Sequence, residues 1–258
     1  MQMRFRLEAP LGVGPDGAVH RALADRLGAR PVAVRRLPVP AGPRRRTLRT
    51  DAETLATLGH PALAVVDDIV DIDDDTVLVA STLGCDGTLA DRLVLGPLPI
   101  DEAVDLVRTV ADAVTSAHRL GLVHGRLQAG NVLLTPDGPV VCDLVQSGAL
   151  GRPRDRDAAD LVHLATLLVD PDDRSPRAAA YRSLCRWSSE SDVGLEGLEA
   201  ALVRLDEIAE SPSPTRATPP GPVTRARPDH ASTGLVVGAS LAVGTAMGVV
   251  GTVLPALV

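Results

Sequence analysis

The chain has 258 residues, enough for a buried core and one to two domains. Its hydrophobic fraction is 45% but its aromatic fraction 1%, so the core is built from Leu, Val and Ala, and the net charge of −7 gives no reason to expect nucleic acid. All 26 basic residues are Arg, which excludes any Lys as phosphate ligand, base or Schiff-base amine; codon bias accounts for the skew.

The N-terminus, MQMRFRLEAP, lacks the apolar run of a signal peptide. Residues 5–37 predict three strands. The first turn reads Gly12-Val13-Gly14-Pro15-Asp16-Gly17-Ala18-Val19, a G-x-G-x-x-G-x-V pattern whose glycines let backbone approach phosphates closely. Taken alone, Gly-Pro-Asp-Gly is equally an ordinary hairpin turn. Val32-Ala33-Val34-Arg35 follows on the third strand. After the arginine run Arg44–Arg46, the apolar positions Leu48, Ala52, Leu55, Ala56 and Leu58 suit one helix face.

Leu63–Val70 and Thr76–Ala80 predict two strands around an acidic turn, Asp71–Asp75. That turn lacks the central Gly and closing Glu of a calcium loop, so it is a solvated hairpin tip. Ser81-Thr82-Leu83-Gly84 predicts a hinge, and residues 101–120 predict the clearest helix, with Asp101 as N-cap and Gly121 at the C′ position.

Residues 122–145 are the centre of the chain. Val132–Leu134 and Val140–Cys142 are short strands joined by a Pro136-Asp137-Gly138 turn, with His124, Asn131 and Asp143 at their ends. Asp157–Val169 predicts a helix, and Ser175–Glu210 has room for two more. Residues 211–232 are rich in Pro, Thr and Arg and predict a semi-extended linker. Residues 233–258 carry no charge and are long enough to cross a bilayer as one helix. Arg216, Arg225 and Arg227 precede that segment, which puts the preceding domain on the cytoplasmic side. Gly234-x-x-x-Gly238 and Gly244-x-x-x-Gly248 make a homodimer through this helix a candidate. Cys85, Cys142 and Cys185 are far apart and form no C-x-x-C pair, which argues for a reducing compartment and against a zinc site.

His124-Gly125-Arg126-Leu127 up to Asn131, then Asp143-Leu144-Val145, resembles the H-R-D-L-x-x-x-N and D-F-G loops of protein kinases. The glycine turn, the Val32–Arg35 strand and His60-Pro61 resemble further segments of bacterial Ser/Thr protein kinases. The resemblance implies an α+β fold of two lobes: a small β-rich lobe at 1–83 and a truncated helical lobe at 84–210, plus the transmembrane helix. It implies a nucleotide site at Gly12, Gly14, Gly17, Val19, Ala33, Arg35 and Leu83, and magnesium ligands at Asn131 and Asp143. Asp160 falls at the place of the family's buried Asp, and Asp51, with Glu53 nearby, at the place of its helix Glu.

The chain departs from the family where chemistry is done. Arg126 stands at the catalytic base, Arg35 at the strand lysine, and the expected Lys–Glu pair becomes Arg35–Asp51. Arg126 cannot accept a proton. No A-P-E follows, and Ser147 is the one serine between Leu144 and Ala159, so the peptide shelf and the usual phosphorylation switch are missing. The resemblance is therefore to a degenerate member, a pseudokinase, serving as a membrane-anchored scaffold or regulator for a protein partner. The alternatives are an ATP or small-ligand sensor, an atypical Ser/Thr kinase, and a small-molecule phosphotransferase, whose loop often reads H-G-D. ATP and Mg as cofactors stay open against none. Arg126 is a candidate to reach Asp143 and supply the charge magnesium would; the alternative is a solvent-facing side chain. Asn131 has a second reading as a tie to loop backbone, and His124 as packing under the loop.

Overall fold

The computed structural model describes residues 5–14, 17–25, 28–84, 87–145, 155–191 and 193–210. The expected linker and membrane helix lie outside them, as do Cys85, Ser147 and the glycine-turn residues Pro15 and Asp16. Among the described residues no helix is long and apolar enough to cross a membrane. Residues 1–213 form one compact unit.

Three strands open the chain as expected: β1 (Phe5–Gly14), β2 (Gly17–Ala24) and β3 (Arg30–Pro38). Helix α1 (Pro43–Leu58) follows, then β4 (Val66–Asp71) and β5 (Thr76–Ser81). The strands make one antiparallel sheet in the order β1-β2-β3-β5-β4. The period of two sorts β3 between two environments. Val32 and Val34 are buried with Phe5, Ala22, Ala24 and Ala80 on one face. Ala33 and Arg35 point to the other.

Helix α1 starts earlier than the apolar pattern suggests. Pro43 sits in its first turn, where a missing N–H costs nothing, so the arginine run is inside the helix and not ahead of it. Arg45 is 8% exposed. Its Nε and Nη2 donate to the Val39 carbonyl at 3.1 and 2.6 Å, and Nη2 also donates to the Asp73 and Asp74 carbonyls at 3.1 and 2.9 Å. Its Nη1 donates to Asp71 Oδ1 at 3.2 Å. The acidic turn is thus clamped by a buried guanidinium and is more than a solvated tip. Arg45→Met leaves three carbonyls without their donor and is expected to destabilise the fold by about 2 kcal/mol. Urea unfolding checks this, with the exposed Arg46→Met as the control that leaves the midpoint unchanged.

The second half is helical. It comprises α2 (Leu89–Leu93), α3 (Ile100–Arg119), α4 (Asp155–Leu168), α5 (Pro176–Glu190) and α6 (Leu195–Glu210), with the hairpin β6 (Val132–Thr135) and β7 (Gly138–Val141) between α3 and α4. The residue before α3 is Pro99, without a side-chain cap, and Asp101 lies in the first turn, where it favours the helix dipole. Val104, Val107, Val110, Ala111, Ala113, Val114 and Ala117 on α3 are fully buried. Each buried Val contributes roughly 1.5–3 kcal/mol, and the small Ala side chains let neighbouring helices approach closely. The core in which these residues sit runs without a break from Leu37 and Leu48 to Leu202.

The sheet and the helical half are also joined through backbone. The Ala64 N–H donates to the Val141 carbonyl at 2.9 Å, and the Val141 N–H donates to the Ala62 carbonyl at 2.9 Å. His60 Nδ1 accepts from the Ala62 N–H at 3.1 Å, which leaves Nε2 to donate to Asp112 on α3 at 3.1 Å. His60-Pro61 therefore marks the junction of the two halves.

Candidate functional site

Sheet register places the first motif. Gly12 pairs with Val19, and Val19 pairs with Arg35, so the three lie in one row across the sheet. Gly14 pairs with Gly17 at the end of the same hairpin. Gly17 has φ 119°, in the region a glycine favours. A Cβ added at Gly12 would meet nothing within 4 Å, so its backbone stands open to the space beside it.

Beneath that row is a cleft of about 410 Å³. Gly12, Val19, Ala33, Arg35, Leu83, Arg126, Asn131, Leu133 and Asp143 all line it. The structure thus brings together most of the residues singled out for the nucleotide and metal sites. Gly17 does not line the cleft, and neither does Asp51. It is half-buried on α1, and burial raises its carboxyl above the usual value. Glu53 is exposed.

The loop after α3 is held from below. His124 is fully buried, and its Nε2 donates to the Cys142 carbonyl at 3.0 Å while Nδ1 accepts from the Arg126 N–H at 3.3 Å. Burial lowers its proton affinity despite the nearby Asp157, so the ring packs as a neutral brace. Asn131 is 5% exposed; its Nδ2 donates to the Arg126 carbonyl at 2.9 Å, and its own carbonyl accepts from the Cys142 N–H at 2.9 Å. The tie to loop backbone is thus present, and it also fixes the orientation of the amide in the cleft. Burial, helped by Asp143, pushes the Cys142 thiol up to about 12, so it is no nucleophile at neutral pH.

Asp160 holds the loop backbone at one point, as expected, but the fully buried acid that carries most of the loop is Asp157. Asp157 is fully buried, and its Oδ2 accepts from the His124 N–H and from His118 Nε2, both at 2.8 Å. Its Oδ1 accepts from the Gly125 N–H at 2.5 Å. Burial alone raises its pKa, but the bonds from His118, Gly125 and His124 outweigh that and hold it below the usual carboxylate value. Asp160 lies one turn on, accepts from the Leu127 N–H at 3.1 Å and pairs with Arg156 at 2.8 Å. Two acids three residues apart share one helix face, so periodicity could not choose between them. His118 was missed for a similar reason: it is one of two basic residues in the last turn of an amphipathic helix.

The charge on Asp143 is met by a residue other than Arg126. Arg35 Nη1 lies 2.6 Å from Asp143 Oδ2, with side chains 12% and 10% exposed. Arg35 thus reaches from β3 to Asp143, and the expected pairing of Arg35 with Asp51 gives way to it. Asp143 has φ 65°, a left-handed conformation that Asp tolerates better than most residues. Arg126 is half-buried and lines the cleft.

Comparison with known proteins agrees with this geometry. A sequence model described as protein tyrosine and serine/threonine kinase matches residues 5–150. The chain belongs to that kinase family. It is 27% identical to the serine/threonine-protein kinase PknA of Mycobacterium tuberculosis over 231 residues, covering 82% of this chain and 52% of PknA. It is 31% identical to PknL of the same organism over 144 residues, covering 54% of this chain and 36% of PknL. The chain therefore spans about half the length of PknA. The crystal structure of a cysteine-to-alanine mutant of the M. tuberculosis PknI kinase domain superposes with a TM-score of 0.62 at 20% identity, covering 79% of this chain and 96% of that one. That likeness establishes the kinase-like fold, with a β-rich first lobe and a helical second part.

Whether ATP with magnesium suits this kinase-family cleft divides along its length. The outer part fits a planar base, since Val19, Ala33 and Leu133 offer apolar surface. The inner end does not fit a divalent ion. Asn131 and Asp143 both line it, but Asp143 is paired with Arg35 and a second guanidinium lines the same wall, so an ion there would have to displace Arg35.

Proposed function

We propose that this chain is a kinase-fold regulator or scaffold that does not transfer phosphoryl groups. The observation that carries the reading is the Arg35–Asp143 ion pair at 2.6 Å. Phosphoryl transfer needs a base to take the hydroxyl proton, a lysine held by a carboxylate, and two ligands on magnesium. Here the base position is a guanidinium that cannot accept a proton, and Arg35 holds the metal-loop carboxylate itself. The pair fixes the inner cleft without nucleotide, which suits a protein whose shape is recognised and whose turnover is not needed.

The charge-free segment 233–258, with Arg216, Arg225 and Arg227 before it, supports anchoring in the cell membrane as a single pass. The kinase-like domain then faces the cytoplasm, and a membrane protein is the natural class of partner. Small-residue spacing in the anchor supports pairing of two copies.

The test is transfer of labelled phosphate from ATP with magnesium or manganese by the full-length chain, to itself and to a generic basic protein. The expected rate equals that of Asp143→Ala. A rate that this substitution abolishes overturns the reading and favours an atypical Ser/Thr kinase. Fractionation tests the anchor: deletion of residues 233–258 is expected to move the chain from membranes to the soluble fraction, and retention at the membrane would refute it.

A further inference from the structure

The helical half holds a second cavity of about 410 Å³, lined by α4, the last turn of α5 and the short link to α6. Ala158, Val162 and Val193 give it apolar walls, and Asp155 and His163 are exposed at its rim. The link keeps the space open. Val193 lies against Gly197, where an added Cβ would collide with it, and a Cβ added at Gly194 would meet nothing within 4 Å. Ser188 also lines this cavity. It is 4% exposed, and among the described residues its Oγ has no hydrogen-bond partner. A buried hydroxyl left unanswered is costly, and this one is free both to donate and to accept.

We propose that this cavity takes an arginine side chain presented by a partner protein. Helix α5 ends here, and no basic residue in its last turn meets the partial negative charge of its carboxyl end. Asp155 adds a full negative charge, and Arg156 beside it is engaged by Asp160 at 2.8 Å. The amino end of α4 would attract an anion, but Asp155 and Asp157 already hold its first turn. An arginine stem lies along the apolar walls, while its fork of donors meets the Asp155 carboxylate and the Ser188 hydroxyl. An adjoining cavity of about 310 Å³ shares Asp155, Ala158 and Gly194 with the first and leaves room for the partner's neighbouring residues. Arg119 and Glu196 both line it, so its charge is balanced. The inference gives the regulator reading a partner chemistry, but it stands on this cavity and not on the Arg35–Asp143 pair.

Trp187, the one tryptophan of the chain, is next to Ser188 and reports on the site. The full-length chain is titrated at pH 8 with the peptide acetyl-Ala-Ala-Arg-Ala-Ala-amide, and with the same peptide carrying citrulline or Glu in place of Arg, by fluorescence and by calorimetry. The Arg peptide is expected to bind saturably, the uncharged citrulline peptide at least about fivefold more weakly, and the Glu peptide not at all. Asp155→Asn, at an exposed position, and Ser188→Ala should each weaken the Arg peptide at least about threefold. Ser188→Ala should also leave the melting temperature of the free chain unchanged or higher, since its hydroxyl has no partner to lose. Equal binding of the citrulline peptide, tighter binding of the Glu peptide, Arg-peptide binding that neither variant weakens, or no saturable signal by either method would overturn the proposal. None of these results touches the transfer assay, so a chain that ignores the peptides and transfers nothing refutes this inference and leaves the regulator reading standing.

Discussion

Asp157→Ala is expected to cost about 3–5 kcal/mol, because it strips a fully buried acceptor from three donors at once. The His124 and Gly125 N–H groups and His118 Nε2 lose their partner at distances of 2.5–2.8 Å. Asp157→Asn is nearly isosteric and keeps one acceptor oxygen for His118 and the His124 N–H, but its amide nitrogen then meets the Gly125 N–H, so it recovers only part of the loss. Denaturant unfolding measures the loss, and hydrogen exchange at His124 and Gly125 should speed up ahead of the rest of the helical half. A cost below about 1 kcal/mol would show that Asp160 carries the loop.

The same residue sets a pH dependence with a definite sign. The folded-state pKa of Asp157 is depressed, so its contribution is present above its unfolded value near 4 and is lost as pH falls below that. His124 is also depressed: the folded state holds the neutral ring while the unfolded chain takes up a proton below about 6.5. Both losses come on the acid side. The melting temperature is expected to fall in two stages, first below about pH 6.5 and then below about pH 4. His124→Asn should remove the first stage and leave the second.

Breaking the Arg35–Asp143 pair from either side is the other large effect. Asp143→Ala leaves a guanidinium that is 12% exposed without its counter-charge, at a cost of about 3 kcal/mol. It also puts Ala at φ 65°, which Asp bears more easily. Arg35→Met costs less, since the remaining carboxylate can turn toward Arg126 on the same wall. The combined Arg35→Met, Asp143→Ala chain should be more stable than the sum of the single losses by about 2 kcal/mol. Additive losses would mean that the 2.6 Å contact contributes nothing to the fold.

Much of this was legible in the residues. The three opening strands, the sheet hairpin around the acidic turn, α3 and the last two helices follow from apolar periodicity, and short motifs of polar residues place the cleft. Which charges meet was not legible. Arg35 could have joined Asp51 or Asp143, and the choice depends on where α1 sits relative to β3, a tertiary distance that no local pattern encodes. Arg45 hid inside an arginine run that looks like solvated charge. Its burial follows from the helix starting at Pro43, which turns that one arginine of three inward.

The backbone bonds between Val141 and the Ala62–Ala64 segment have a mechanical consequence. A sheet that swung about Leu83–Gly84 would pull on β7 through those bonds, and Asp143 is two residues past Val141. The acid is therefore towed by the sheet that carries Arg35. Rocking of the two halves changes the mouth of the cleft far more than its floor, and the distance between the paired charges is insulated from it.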